Sequence, residues 1–264
     1  MRHHFNRRLQ AVSLSCLVIA AACSDSATTE PGANQAFLTA DLATASADAV
    51  GEEIEMMGGP GGRFNIGLFG AFSGPFGAFA ARDLGCRSLN NPALQVVRTC
   101  TFQDANGAVQ DTYDPLTTAQ ARIQTSVSAE RSRENFEASF TRTTDHTASG
   151  LAGTETTRTW NGTGTEIVTN SRHTEAQGTR AYTLSTNTST NNVVVPVGQQ
   201  PGWPLSGSIT RVITGEITAG PNAGQTFSRT VTVTFNGTST VTMTVGDETF
   251  TVDLQNRRAN RRDG

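Results

Sequence analysis

The chain reads as a mainly all-β protein, an antiparallel meander of about eleven strands preceded by one short N-terminal helix. Two observations predict this. From about Leu94 to Leu254, Thr, Val and Phe alternate with other residues at a period of two, the pattern of half-buried strands. The clusters DANG, WNGTG, EAQG, QQPGWP and AGPNAG interrupt that stretch at short intervals, and such clusters mark turns. Short connections make consecutive strands neighbours in an antiparallel sheet, and a sheet of that many strands curls, closes into a barrel or folds over as a sandwich. The pattern leaves these three open.

In chain order, the helix comes first. In NQAFLTADLATASADAVGEEIEMM the residues Leu38, Leu42, Val50, Ile54 and Met57 fall near helical spacing among alanines, which predicts one helix before the sheet. Glu52 and Glu53 read as its polar side. Strands are expected near 96–103, 119–127, 135–142, 154–160, 165–173, 180–185, 193–197 and 207–218, then over the C-terminal hairpins. There the inward residues are Phe227, Val231, Val233 and Phe235, then Val241, Met243 and Val245, then Phe250, Val252 and Leu254. Residues directly opposite share a face of the sheet. The first of these hairpins therefore needs paired numbers with an even sum, which predicts a three-residue loop with Gly237 left-handed. The second takes a two-residue Gly246-Asp247 turn, placing Met243 opposite Phe250 and Val241 opposite Val252.

The N-terminus carries Arg2, Arg7 and Arg8, then a short apolar stretch from Ala11 to Ala22 with small residues before Cys23. That is the layout of an export signal, too short to span a bilayer. VIAAACSDS resembles the lipobox of bacterial lipoproteins. The resemblance implies cleavage after residue 22, acylation of Cys23 with chains such as palmitate, and, from Ser24, sorting to the outer membrane. An ordinary cleaved leader with an incidental cysteine is the alternative. On the lipobox reading, residues 1–22 are signal peptide, 23–36 a polar lipidated tether and 37–264 a single β-rich domain, whose Gly/Phe-rich segment covers 58–85. Several acyl chains would hold the protein to a membrane without a transmembrane helix.

With Cys23 assigned to lipid, Cys86 and Cys100 remain, and an exported chain is expected to join them. Without the leader the chain has 17 basic and 23 acidic side chains, a formal charge of −6, which argues against nucleic-acid binding. It contains no Lys. Its tail NRRANRRDG is the one basic cluster and reads as a solvated end, with contact to anionic lipid or polysaccharide as the alternative.

The chemistry-bearing motifs are absent from the sequence: no HExxH, no GxSxG and no phosphate loop. His146 and His173 are the two histidines beyond the leader; nothing brings them together, and both read as solvated sheet positions, so neither a metal nor a cofactor is expected. The run FNIGLFGAFSGPFGAFAA carries Phe69, Phe72, Phe76 and Phe79 at helical spacing, but Gly67, Gly70, Gly74, Gly77 and Pro75 oppose a helix. It reads as a pliable cover for the apolar face of the sheet, with an apolar-ligand lid and a membrane-dipping loop as functional alternatives. The whole suggests a non-enzymatic outer-membrane lipoprotein that binds a lipid or other apolar ligand. In outline it resembles the outer-membrane lipoproteins that carry lipids or other lipoproteins. The alternative is a structural or adhesive surface protein with a solidly packed β domain.

Overall fold

The computed structural model describes residues 31–57, 64–66, 72–74, 86, 88–91, 94–153, 155–174, 178–198, 202–220 and 223–261. Helix α1 spans Pro31–Met56, and a small ribbon pairs β1 (Phe64–Ile66) with β2 (Phe72–Gly74). The main sheet follows: β3 (Leu89–Asn91), β4 (Leu94–Asp104), β5 (Val109–Gln110), β6 (Thr118–Arg133), β7 (Phe136–Ser149), β8 (Thr157–Thr174), β9 (Gly178–Pro196), β10 (Ser206–Ala219), β11 (Thr226–Thr234), β12 (Thr240–Val245), β13 (Glu248–Asp253) and β14 (Arg258–Arg261). Every pairing is antiparallel, and from β6 to β14 each strand pairs with its neighbours in sequence. The eleven-strand path runs from β14 to β3 and does not close; β5 attaches to β4. The predicted meander is therefore an open sheet and not a barrel.

Proline opens α1, where its missing N–H is no loss. The helix buries Leu42, Val50, Ile54 and Met57 as the spacing predicts. These join Phe102, Ile123, Trp160, Val193, Ile209, Val233, Met243 and Phe250 in one core. A flat sheet of eleven strands at ~4.8 Å spacing is about 48 Å wide, whereas one helix is about 10–12 Å thick. For so many strands to bury residues in a core shared with one helix, the sheet cannot lie flat: it curls or folds over. A second apolar cluster, Val96, Val127, Ala129, Phe140, Val168 and Leu184, lies farther along the same face.

Several expectations change in detail. WNGTG is not a turn: Gly162 and Gly164 lie inside β8. A Cβ on Gly162 would sit 2.3 Å from the Asp145 carbonyl oxygen and 2.5 Å from His146 Cδ2, so this glycine reflects crowding against β7. The two strands expected at 180–185 and 193–197 are one, because the pairing shifts between Trp160 and Gly162 and between Ser206 and Ser208. Asn192 there has φ 47° and Gly207 φ 95°, and the Asn192 N–H donates to Asn161 Oδ1 at 2.8 Å. This bulge moves the buried set of β9 from even to odd numbers, hiding its continuity.

The C-terminal hairpins keep the predicted parity. Met243 faces Phe250 and Val241 faces Val252 across the Gly246-Asp247 turn. Val233 faces Met243, an even sum, and Gly237 has φ 82°. The connection between β11 and β12 is Phe235–Ser239, five residues instead of three, because the N–H groups of Phe235 and Gly237 donate to Gly207 and Pro204. The arginine tail is not simply solvated: Arg257 pairs with Glu55 of α1 and Arg261 with Glu248.

Cys86 and Cys100 are joined, with Cα atoms 5.9 Å apart, tying the segment before β3 to β4. Closing a loop with a sequence separation of 14 constrains the unfolded chain by about 3 kcal/mol. The Cys86→Ala, Cys100→Ala double variant should lose roughly that much stability in urea unfolding under oxidising conditions. Equal midpoints for the two proteins would show that the bridge adds nothing.

Candidate functional site

The alternation that puts apolar residues on the inner face also puts charges there. Arg142 follows Ala138 and Phe140 in the buried register of β7, Glu166 stands two residues before Val168 in β8, and Arg211 lies between Ile209 and Ile213 in β10. Sheet register sets Arg142 directly opposite Glu166, and Thr188 opposite both Gly164 and Arg211. The three charges therefore meet in the middle of the inner face, between the two apolar clusters.

Helix α1 closes this belt from above. Arg142 Nη1 donates to Glu52 Oε2 at 2.9 Å, while its Nε and Nη2 both donate to Glu166 Oε2. Arg211 Nη2 donates to Glu166 Oε1 at 3.1 Å. Arg142 also lies 5.2 Å from the centre of the Phe140 ring, a favourable placement for a guanidinium. Glu52 is 1% exposed, Glu53 2%, Arg142 4% and Arg211 3%. This corrects the reading of Glu52 and Glu53 as the polar side of the helix. They face the sheet because the arginines beneath them compensate carboxyls that would otherwise be too costly to bury.

Burial pushes Glu52 up to about 8, against the pull of Arg142. Burial raises Glu53 as well, opposed by Arg211 and Arg142. Glu166 goes the other way: burial would raise it, but the two guanidiniums hold it below the usual carboxylate range. Burial also works against the charge of Arg142, and Glu166, Glu52 and Glu53 more than offset it. Burial thus favours the proton-bound forms of Glu52 and Glu53, while Glu166 is held as the anion between the two guanidiniums. Beside it lies a cavity of about 20 Å³, lined by Ser46, Asp48, Glu52, Arg142, Glu166 and Arg211 among others.

The histidines separate. His146 is buried, against the solvated position expected, because its even number shares the inward register of Phe140 and Ala148. Its Nε2 meets Thr190 Oγ1 at 3.2 Å and its ring stands edge-on to Trp160. Burial pushes it down to about 4, with Arg142 acting in the same direction and Asp145 against it. Adjacent Asp145 points to the opposite face, bonded to Arg122 and Gln124. His173 is exposed, with Nδ1 3.0 Å from Thr179 Oγ1, and stands eleven positions along β8 from the partner of His146, about 35 Å away. Among the described residues no three His, Cys, Asp or Glu side chains converge as a metal site, and no helix is long and apolar enough to cross a membrane.

The outer face is hydroxyl-rich. One row crosses nine strands as Thr99, Gln124, Asp145, Thr163, Ser189, Thr210, Thr232, Thr244 and Thr249, each opposite the next. Near its start is an open groove of about 370 Å³, lined by Val97, Thr99, Gln124, Thr143 and Thr165 among others. Of the residues singled out from sequence, Cys23, Phe69, Phe76 and Phe79 lie outside the described residues. Phe72 opens β2, opposite Ile66. Arg142, Glu166 and Arg211 were not anticipated, although their parity with buried neighbours was a usable signal. No protein family, curated protein or solved structure matches the chain.

Proposed function

We propose that this chain is a non-enzymatic, lipid-anchored protein of the bacterial outer membrane whose β domain is a packed scaffold presenting a threonine-rich face. The observation that carries the scaffold reading is the occupant of the inner face. A curled sheet that serves as a carrier needs that space for its cargo, and here α1 fills it with Leu42, Val50, Ile54 and Met57 and ties itself down through Glu52 and Glu55. Contacts with envelope partners then fall to the outer rows of Thr and Ser. The anchoring part rests on the lipobox-like segment ending at Cys23.

Cys23→Ala should move the protein from the membrane fraction to the soluble one. A variant still membrane-bound after a carbonate wash would end the anchoring proposal.

The second reading is a carrier of a lipid or apolar ligand beneath the Phe-bearing run. It is favoured by the β1–β2 ribbon, part of that run, lying against α1. Native mass spectrometry of the exported chain from Ser24 onward, beside a variant with Phe69, Phe72, Phe76 and Phe79 changed to Ser, separates the two. The scaffold reading expects a wild type without bound lipid. Lipid retained by the wild type and lost from a folded variant would establish the carrier instead.

A further inference from the structure

The long hairpins joining β6 to β7 and β8 to β9 run on past the second apolar cluster, and the inner face changes character there. Along β8, Val168 is 3% exposed and Asn170 8%, but on β9 burial gives way from half-buried Tyr182 to exposed Arg180. This is the rim of the face. Register sets Arg133, Phe136, Arg172 and Arg180 in one row across it, each opposite the next, with Arg131 on the same face two residues before Arg133. The four arginine positions span about 14 Å across the strands and about 7 Å along them.

The carboxylates of these strands register on the other side. Among the described residues, the inner face of β6 to β10 carries no Asp or Glu beyond Glu166 in this direction; Glu130, Glu137 and Glu216 have the opposite parity and belong to the outer face. Glu134 lies between β6 and β7, and Glu175 between β8 and β9, so four arginines meet at most two acids here. Arg172 and Arg180 are directly opposite, a placement that destabilises a pair of like charges. The row costs stability that contact with an anion offsets, and the planar guanidinium fork matches a phosphate.

Two observations favour a membrane over a soluble anion. Phe136 stands in the row between Arg133 and Arg172, and Tyr182 one row further in; aromatic rings beside arginines suit the headgroup level of a bilayer. Pro31, where α1 starts, is eight positions after Cys23, a reach of at most about 28 Å, so an acylated Cys23 holds the domain against the headgroup layer. We propose that this rim docks on the phosphate headgroups of the membrane that carries the protein, with Arg131, Arg133, Arg172 and Arg180 pairing phosphates and Phe136 entering the headgroup layer. The choice of that membrane rests on the anchored reading above; the affinity for anionic lipid does not. Docking leaves the threonine-rich outer face of the same strands free for partners.

The test is co-sedimentation of the unacylated chain from Ser24 onward with vesicles of phosphatidylcholine, alone or with about one-third phosphatidylglycerol. Without an acyl chain no binding comes from the anchor, which the Cys23→Ala fractionation tests by itself, so the two proposals fail separately. Despite its formal charge of −6, the chain should bind the anionic vesicles and not the neutral ones, and high salt should release it. Arg172→Gln with Arg180→Gln should weaken binding about 30-fold, or about fivefold for each arginine. Arg258→Gln with Arg261→Gln, on the edge strand β14, should leave it unchanged. The first pair should also unfold in urea no earlier than wild type, because it removes two opposed like charges; an earlier midpoint would mean that these arginines serve the fold, and would overturn the proposal. So would an absence of vesicle binding at low salt, equal binding to neutral vesicles, or loss of binding in the β14 variant. Capture of soluble polyglutamate without vesicle binding would assign the rim to an acidic protein instead.

Discussion

Replacing Arg142 with Met is expected to lower the unfolding free energy by about 3–5 kcal/mol, the usual cost of removing one member of a buried ionic group. Three donors vanish at once. Glu52 Oε2 loses its partner and Glu166 keeps only its bond to Arg211, so a carboxylate made acidic by two guanidiniums must stay ionised beside one or take up a proton. In a domain of this size the loss corresponds to a fall in Tm of about 6–20 °C. Changing Arg142, Glu166 and Arg211 to Met, Leu and Met together with Glu52 and Glu53 to Leu should recover most of it, since an apolar replacement of a whole buried group is often neutral or better. Urea unfolding of the two variants beside the wild type provides the comparison. A single variant within 1 kcal/mol of wild type would mean that the belt is not the buried ionic contact described above.

The second large effect is on the pH dependence of stability, and Glu52 sets its sign. In the unfolded chain this carboxyl ionises near 4.5 and in the folded protein near 8. Between these values the folded state keeps a proton that the unfolded state has released, so stability falls as the pH rises, by up to about 1.4 kcal/mol per unit. Glu53, also raised by burial, adds to the fall. His146 acts in the opposite sense: it moves from 6.5 to about 4 on folding, so its contribution is full above 6.5 and disappears as the pH drops through 4. The contributions of Glu52 and His146 offset each other between about 4.5 and 6.5, leaving a decline from 6.5 to 8. Glu52→Gln should reduce that decline by about 1.4 kcal/mol per unit in urea unfolding at pH 6.5, 7.5 and 8.5. An unchanged slope in the variant would assign the alkaline loss to other groups.

The periodic parts of this fold were readable because period two has one physical cause, a sheet with a buried and a wet face. The hairpin between β12 and β13 follows residue for residue, since parity and a Gly-first turn leave one solution. β8 and β9 were each read as two strands for opposite reasons: Gly162 and Gly164 imitate a turn where they only make room, and the bulge at Asn192 switches the inward parity in mid-strand. Of the ionic belt, Glu52 and Glu53 were misread by residue type, and Arg142, Glu166 and Arg211 were passed over for the same reason. Glu52, Glu53, Arg142, Glu166 and Arg211 occupy core positions by spacing, but a charge in a core is intelligible only once its partner is known. That partner lies on another element, which local pattern does not pair.

The meander also dictates an order of assembly. Hairpins such as the one joining β12 and β13 close loops of a few residues, so they can form as soon as the chain is made. The bonds that dock α1 span far longer loops: Glu52 to Arg142 is 90 positions and Glu55 to Arg257 is 202. Closing such loops is entropically expensive and is repaid only once the sheet exists to receive the helix. The helix, made before every strand it docks on, is consequently the last to be secured, and until Arg257 arrives α1 must keep its apolar stripe without its final partner. Leu42, Val50 and Ile54 therefore stay exposed in the newborn chain until the strands that cover them have been made.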